Sequence, residues 1–156
     1  MIIIKQITFD EILPFWLKLW QWHTPETVER YSYMRHLDGH FETFYPEIAY
    51  FGAICDDKIV GVNSVHTLPD GTCRSRGLWV DPEYRGNSIG TLLLKQCVSW
   101  ATARGSAIWS YPRDTSWNSY KNAGFELSSD WKTSDHGIKN AFCILPLDIS
   151  DESARM

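Results

Sequence analysis

The sequence predicts a mixed α/β fold, a single three-layer domain in which helices cover both faces of a mixed sheet. Three observations carry this. Strand-like and helix-like periods alternate in the order β-α-α-β-β-β-α-β-α-β-β. Strong turn signals join three strands in the middle of the chain. The 156 residues contain no repeat, low-complexity run or linker, and 44% are hydrophobic, which suits one core. Such elements bury their apolar faces by layering helices on a sheet. The domain is expected over residues 1–148, with a polar tail over 149–156.

Ile2 to Thr8 alternates and is β-branched, so it reads as the first strand. Phe9 to Trp22 carries Ile12, Phe15, Trp16 and Leu19 at helical spacing, with Asp10 as candidate N-cap and Pro14 placed in the first turn. Thr24-Pro25-Glu26 starts a second helix, Thr27 to Leu37, which Gly39 ends. Ala49 to Cys55 and Lys58 to Leu68 form a hairpin about Asp56-Asp57, although Asp-Asp is a weaker turn pair than Asp-Gly. Pro69-Asp70-Gly71 turns the chain into a strand from Thr72 to Val80. Ser88 to Arg104 is an amphipathic helix closed by Gly105. Ala107 to Tyr111 is a short buried strand and Ser116 to Asn122 a short helix ended by Gly124. Phe125 to Trp131 and Asn140 to Leu147 are two further strands with a polar connection.

The net charge of −4 argues against a dedicated nucleic-acid binder, which would show a basic face. No apolar run approaches a membrane span, and the N-terminal Met-Ile-Ile-Ile-Lys is too short for a signal segment. A cytoplasmic protein is expected. Cys55, Cys73, Cys97 and Cys143 lack metal-ligand spacing and read as reduced core residues, and no metal is expected. Aromatic residues make 14% of the chain, which either packs the core or walls a pocket. Arg74, Arg76 and Arg85 cluster in sequence, which suits an anionic cofactor, while Arg74 and Arg76 read first as a solvated strand face.

The run from Leu78 to Leu93 is a strand, a tight turn and then a helix. A helix start presents unpaired N–H groups and the positive end of its dipole, which favour an anion and phosphate above all. Arg85 adds a positive charge there. The glycine fingerprint of dinucleotide sites and the Gly-Lys-Ser/Thr ending of the P-loop are both absent. The stretch resembles the acetyl-coenzyme A loop of the GNAT acyltransferase superfamily, Val-x-Pro-x-x-Arg-Gly-x-Gly-x-Gly. Val80, Pro82, Arg85, Gly86 and Gly90 fall in register, and Ser88 stands at the middle glycine. If that position needs a positive φ, serine is strained where glycine is not. A second resemblance follows in Tyr120-Lys121-Asn122-Ala123-Gly124-Phe125, similar to the family's Tyr-x-x-x-Gly-Phe. Seven residues before this tyrosine many members have Asn, and here Arg113 stands, to meet a phosphate or face solvent. The element order also resembles the family's over nearly the whole chain.

The resemblance implies transfer of an acetyl group from acetyl-CoA to a primary amine by direct attack. It implies a cofactor site of Leu78, Trp79, Val80, Arg85, Gly86, Asn87, Ser88, Ile89, Gly90, Thr91, Ser116 and Tyr120. The Val80 N–H would meet the thioester carbonyl on a strand that splays from its neighbour. Tyr120 would act as general acid, or else simply pack on the sheet. The family's glutamate base has no counterpart in the strand Thr72 to Gly77. His66 and His136 are the substitutes, each more readily structural than catalytic, and no base is required if the amine arrives neutral, while Asp81 and Glu83 read as turn and surface residues.

The acceptor is expected to be a small-molecule or amino-acid-like amine. Trp20, Trp22, Tyr31, Tyr33 and Trp131 are the candidate pocket residues, with His23 beside them, and Glu26, Glu29 and Asp38 could attract a cationic amine. Self-association as a homodimer is left open. Two other readings stand beside this one: a non-catalytic acyl-CoA sensor or scaffold of the same fold, and an unrelated nucleotide-binding α/β domain.

Overall fold

β-Branched residues at the start of the chain make an edge strand, β1 (Ile3–Ile7). In the computed structural model, which describes residues 1–20 and 46–147, it pairs antiparallel with β2 (Ile48–Cys55) from Ile3↔Ile54 to Ile7↔Tyr50. The expected helix Thr27 to Leu37 and the tail 149–156 lie outside the described residues. So do Trp22, His23, Glu26, Glu29, Tyr31, Tyr33 and Asp38.

β2 returns through Asp56-Asp57 into β3 (Lys58–Thr67). Both aspartates are left-handed, with φ of 51° and 63°. That is the conformation a two-residue hairpin turn requires, and Asp tolerates it better than most side chains. Asp70 Oδ1 then accepts from both the N–H and the hydroxyl of Thr72, turning the chain into β4 (Cys73–Val80), antiparallel to β3. There follow α2 (Ile89–Thr102), β5 (Ala107–Ser110), α3 (Trp117–Asn122), β6 (Glu126–Leu127), β7 (Lys132–Thr133), β8 (Lys139–Asn140) and β9 (Cys143–Pro146). The main sheet has the order β1-β2-β3-β4-β5-β9-β6. Its neighbours are antiparallel except β4 and β5, which run parallel.

The first helix, α1, spans Phe9–Leu19. Its cap is Thr8 rather than Asp10: Thr8 Oγ1 accepts from the Glu11 N–H at 3.2 Å and Glu11 Oε1 accepts from the Thr8 N–H at 3.0 Å. This reciprocal box satisfies two donors where Asp10 would satisfy one. Pro14 consequently sits in the second turn, where its ring takes away the N–H that Asp10 O would otherwise meet.

Two core clusters lie on opposite faces of the sheet. α2 buries Ile89, Leu93, Leu94 and Cys97 against Phe51, Val60, Val65, Cys73 and Ile108. α1 buries Ile12 and Trp16 against Ile7, Tyr50 and Val62. Each such side chain contributes about 1.5–3 kcal/mol. The four cysteines are free thiols, all but Cys55 buried.

The C-terminal part differs from the two long strands expected. Phe125 to Trp131 contributes only the two residues of β6, and the polar connection folds into its own β7–β8 hairpin. Polar residues about Gly137 favour a local turn: Ser134 Oγ accepts from the N–H of His136 and of Ile138. Among the described residues no helix is long and apolar enough to cross a membrane.

Candidate functional site

The site begins with a bulge. β3 and β4 pair at Val62↔Trp79 and again at Ser64↔Arg76, so Gly77 and Leu78 together oppose Asn63. Gly77 takes φ +81°, the left-handed region that glycine enters without strain. The extra residue resets the alternation. Arg74, Arg76 and Trp79 face the α1 side, while Cys73, Leu78 and Val80 face α2.

Already before the bulge β4 loses its other neighbour. It pairs with β5 only at Cys73↔Ile108 and Arg74↔Trp109. The seam is then held by side chains: Ser110 Oγ donates to Ser75 O at 2.7 Å and Trp109 Nε1 donates to Thr72 Oγ1 at 3.0 Å. Past that point the strands part and a cleft of about 740 Å³ opens between them. It is lined by β4 from Arg74 to Val80, the start of α2, the chain after β5, α3 and the β7–β8 turn. Asp81 donates its N–H to Val60 O. Successive N–H groups of an extended strand alternate sides, so that of Val80 points away from β3, into the cleft.

The loop after Val80 is shaped by its own side chains. Asp81 Oδ1 accepts from the Glu83 N–H at 3.0 Å and starts a 3-10 turn, Pro82–Tyr84. Arg85 Nε donates to Val80 O at 3.0 Å, which sets its guanidinium at the end of β4. Gly86 has φ +86° and open space where a Cβ would stand. Ser88 occupies the left-handed region at φ 62° and caps α2 without a side-chain hydrogen bond. The first helical bond runs from the Leu92 N–H to Ser88 O, so the N–H groups of Ile89, Gly90 and Thr91 have no acceptor within the helix. A Cβ on Gly90 would stand 2.6 Å from Ser119 Oγ. The glycine therefore also lets α2 and α3 come together.

Tyr120, near the end of α3, is 2% exposed and reaches the inner end of the cleft. Its hydroxyl lies 3.4 Å from Ser110 Oγ. Burial pushes its pKa well above the ordinary value of 10, so it holds its proton.

The structure gathers most of the sequence-named residues around this cleft. Trp20, Leu78, Trp79, Val80, Arg85, Gly86, Ser88, Ile89, Gly90, Thr91, Ser116, Tyr120 and His136 all line it. Asn87 stands just outside, with its amide turned to Tyr84 O at 3.2 Å. Trp131 packs edge-on to Trp117, 6.3 Å between centroids, off the lining. His66 is buried within β3, also off the lining. Burial and the charges of Arg74 and Arg76 bring its pKa down to about 3.

Arg74 and Arg76 are not on the solvated face that the sequence suggested. Both line the cleft, Arg74 over the Trp109 ring at 4.8 Å and Arg76 over the Trp20 ring at 5.0 Å. Arg113 lines it too and donates to Leu19 O at 3.1 Å, tying the exit of β5 to the end of α1. Tyr111 and Asn140 complete that side. The alternating Arg-x-Arg on β4 was the available signal. Among the described residues, no Asp or Glu lines the cleft. With the helix start and Arg85 at one end, this fits a phosphate-bearing group.

The comparisons with known proteins agree with this geometry. No curated protein sequence matches the chain. Solved structures do. The ribosomal-protein-S18-alanine N-acetyltransferase of Escherichia coli is 16% identical, with a TM-score of 0.69 over 96% of both chains. A putative acyl-CoA N-acyltransferase of Klebsiella pneumoniae is 18% identical, with a TM-score of 0.68 over 94% of this chain and 98% of the other. The aminoglycoside acetyltransferase AAC(6')-Ib, solved with coenzyme A and kanamycin, is 14% identical, with a TM-score of 0.61 over 100% of both. These likenesses show the fold. The model of the acetyltransferase (GNAT) family matches residues 13–125, and on that match the chain belongs to the GNAT family.

Proposed function

We propose that this chain is an N-acetyltransferase that moves an acetyl group from acetyl-CoA to a primary amine of a small or amino-acid-like acceptor, by direct attack. The observation that carries the reading is the β4 edge from Arg76 to Val80. It is left unpaired by β5, with the start of α2 at one end and the Tyr120 hydroxyl at the other.

Acetyl-CoA supplies an acyl group activated as a thioester. The N–H groups at the start of α2 hold its phosphates, with Arg85 beside them. The Val80 N–H stabilises negative charge growing on the carbonyl oxygen. Tyr120, kept protonated by burial, donates to the leaving sulfur. His136, which lines the cleft from the β7–β8 turn, takes the proton of the attacking amine.

Calorimetric titration with acetyl-CoA, with ATP as control, tests the cradle. Thiol release with a panel of amines tests transfer. Binding with turnover supports the reading. Binding without turnover on any amine makes the chain a non-catalytic acyl-CoA binder, and absence of binding overturns both.

A further inference from the structure

A set of buried polar groups crosses three strands and ends at Tyr120. Asn63 lies on β3, Ser75 on β4 and Ser110 at the end of β5, and all are buried, as is Tyr120. Asn63 Nδ2 donates to Ser75 Oγ at 2.8 Å and to Cys97 Sγ at 3.5 Å. Ser110 Oγ stands between two oxygens, 2.7 Å from Ser75 O and 3.4 Å from the Tyr120 hydroxyl. A serine hydroxyl has one proton and serves one acceptor at a time. The short contact to a carbonyl, which only accepts, holds that proton in the resting protein. The contact to the phenol is correspondingly loose.

A buried acid that gives up its proton leaves a charge that burial disfavours. The hydroxyls of Ser110 and Ser75 both favour the ionised phenol against that penalty. Cys97 and Cys143 nearby are kept as neutral thiols by burial. The Arg74 guanidinium and the phenol also feel each other's charge. A hydrogen bond to an anion is stronger than one to a neutral carbonyl, so ionisation of the phenol draws the Ser110 proton across.

We infer that Ser110 is a positioning residue for acyl transfer, whose hydroxyl leaves Ser75 O and bonds the Tyr120 oxygen as the phenol passes its proton to the departing sulfur. This rests on the acyltransferase reading above. The C–S bond breaks with its electron pair on sulfur. The phenol O–H bond breaks with its pair on oxygen, and the proton forms S–H. The phenolate then takes a proton back from solvent water, balanced by the proton that the attacking amine has lost.

The test is a double-mutant cycle in the whole protein, read as kcat and KM beside calorimetric affinity for acetyl-CoA. Ser110→Ala should lower kcat about 10–100-fold with that affinity unchanged. In a Tyr120→Phe background the same change should cost less than about twofold, because the group it serves is gone. Ser110→Thr, which keeps a hydroxyl, should recover part of kcat. A readout without substrate accompanies these. The ζ-carbon resonance of Tyr120 in 13C-tyrosine-labelled protein, identified by its loss in Tyr120→Phe, should move in Ser110→Ala and return toward its original place in Ser110→Thr. Equal losses of kcat in both backgrounds, lost acetyl-CoA affinity in Ser110→Ala, or an unmoved resonance overturn the inference and leave the transferase standing. Failure of the wild-type protein to bind acetyl-CoA, or to acetylate any amine, brings down the transferase reading and this one with it.

Discussion

The indole N–H of Trp16 donates to the carbonyl of Gly77 at 2.8 Å, and the same ring fills the space where a Cβ on Gly77 would stand. A helix on one face of the sheet thus clamps the bulge that borders the cleft. Gly77→Ala is expected to add left-handed strain and a collision with a fully buried ring, a loss of about 2–5 kcal/mol. Urea denaturation measures it. Weakened acetyl-CoA binding by the folded fraction would follow, because the bulge decides which way Val80 faces.

Ser88 holds a left-handed conformation without a compensating cap bond. Ser88→Gly relieves about 1–2 kcal/mol of backbone strain, partly offset by the greater freedom of glycine in the unfolded chain. A net gain of about 0.5–1 kcal/mol is expected in thermal melts. Ser88→Val should lose stability in the same assay.

Tyr120→Phe keeps the ring against Phe125 and removes only the hydroxyl. Turnover should fall about 10²–10⁴-fold with acetyl-CoA affinity retained. Since burial raises the tyrosine's pKa, wild-type activity should not decline through loss of this proton up to pH 10. An unchanged kcat in the Phe variant would remove Tyr120 from the chemistry.

His66 is buried, and its ring nitrogens have no hydrogen-bond partner among the described residues. Its pKa is near 3 in the fold against an ordinary 6.5. The unfolded chain therefore binds the proton first, and its contribution to stability falls as pH drops from 6.5 toward 3. The slope from this one group is about 1.4 kcal/mol per pH unit. His66→Phe should flatten that limb in urea titrations across the range, and an unchanged pH profile would contradict the assignment.

The loop from Val80 to Thr91 was legible because its signals are local: Pro82 after a strand, small residues before an amphipathic helix, Arg85 between them. The place of Tyr120 at the end of a short helix beside the cleft was legible for the same reason. For Arg74 and Arg76 the sequence left a charged cluster and a solvated face side by side and favoured the second. Their place in the cleft depends on Trp20 and Trp109, which arrive from beside α1 and from β5. His66 and His136 were indistinguishable as letters, yet one is enclosed in β3 and the other stands on a hairpin turn at the cleft. The N-cap was misplaced because Asp10 is a good capping residue, whereas Thr8 wins by pairing with Glu11 three residues on. The long C-terminal strands were overdrawn because turn chemistry at Ser134 and Gly137 outcompeted strand propensity.

A consequence follows from the parting of β4 and β5. In the proposed mechanism the donor is read largely by main-chain N–H groups, which every residue but proline supplies whatever its side chain. The opposite face of β4 speaks through side chains alone. The two faces can therefore drift independently: in that mechanism, an exchange on the opposite face leaves the donor's main-chain contacts in place. One scaffold can in this way be retuned by few substitutions, and low identity among chains of a common shape is what such a division of labour would leave behind.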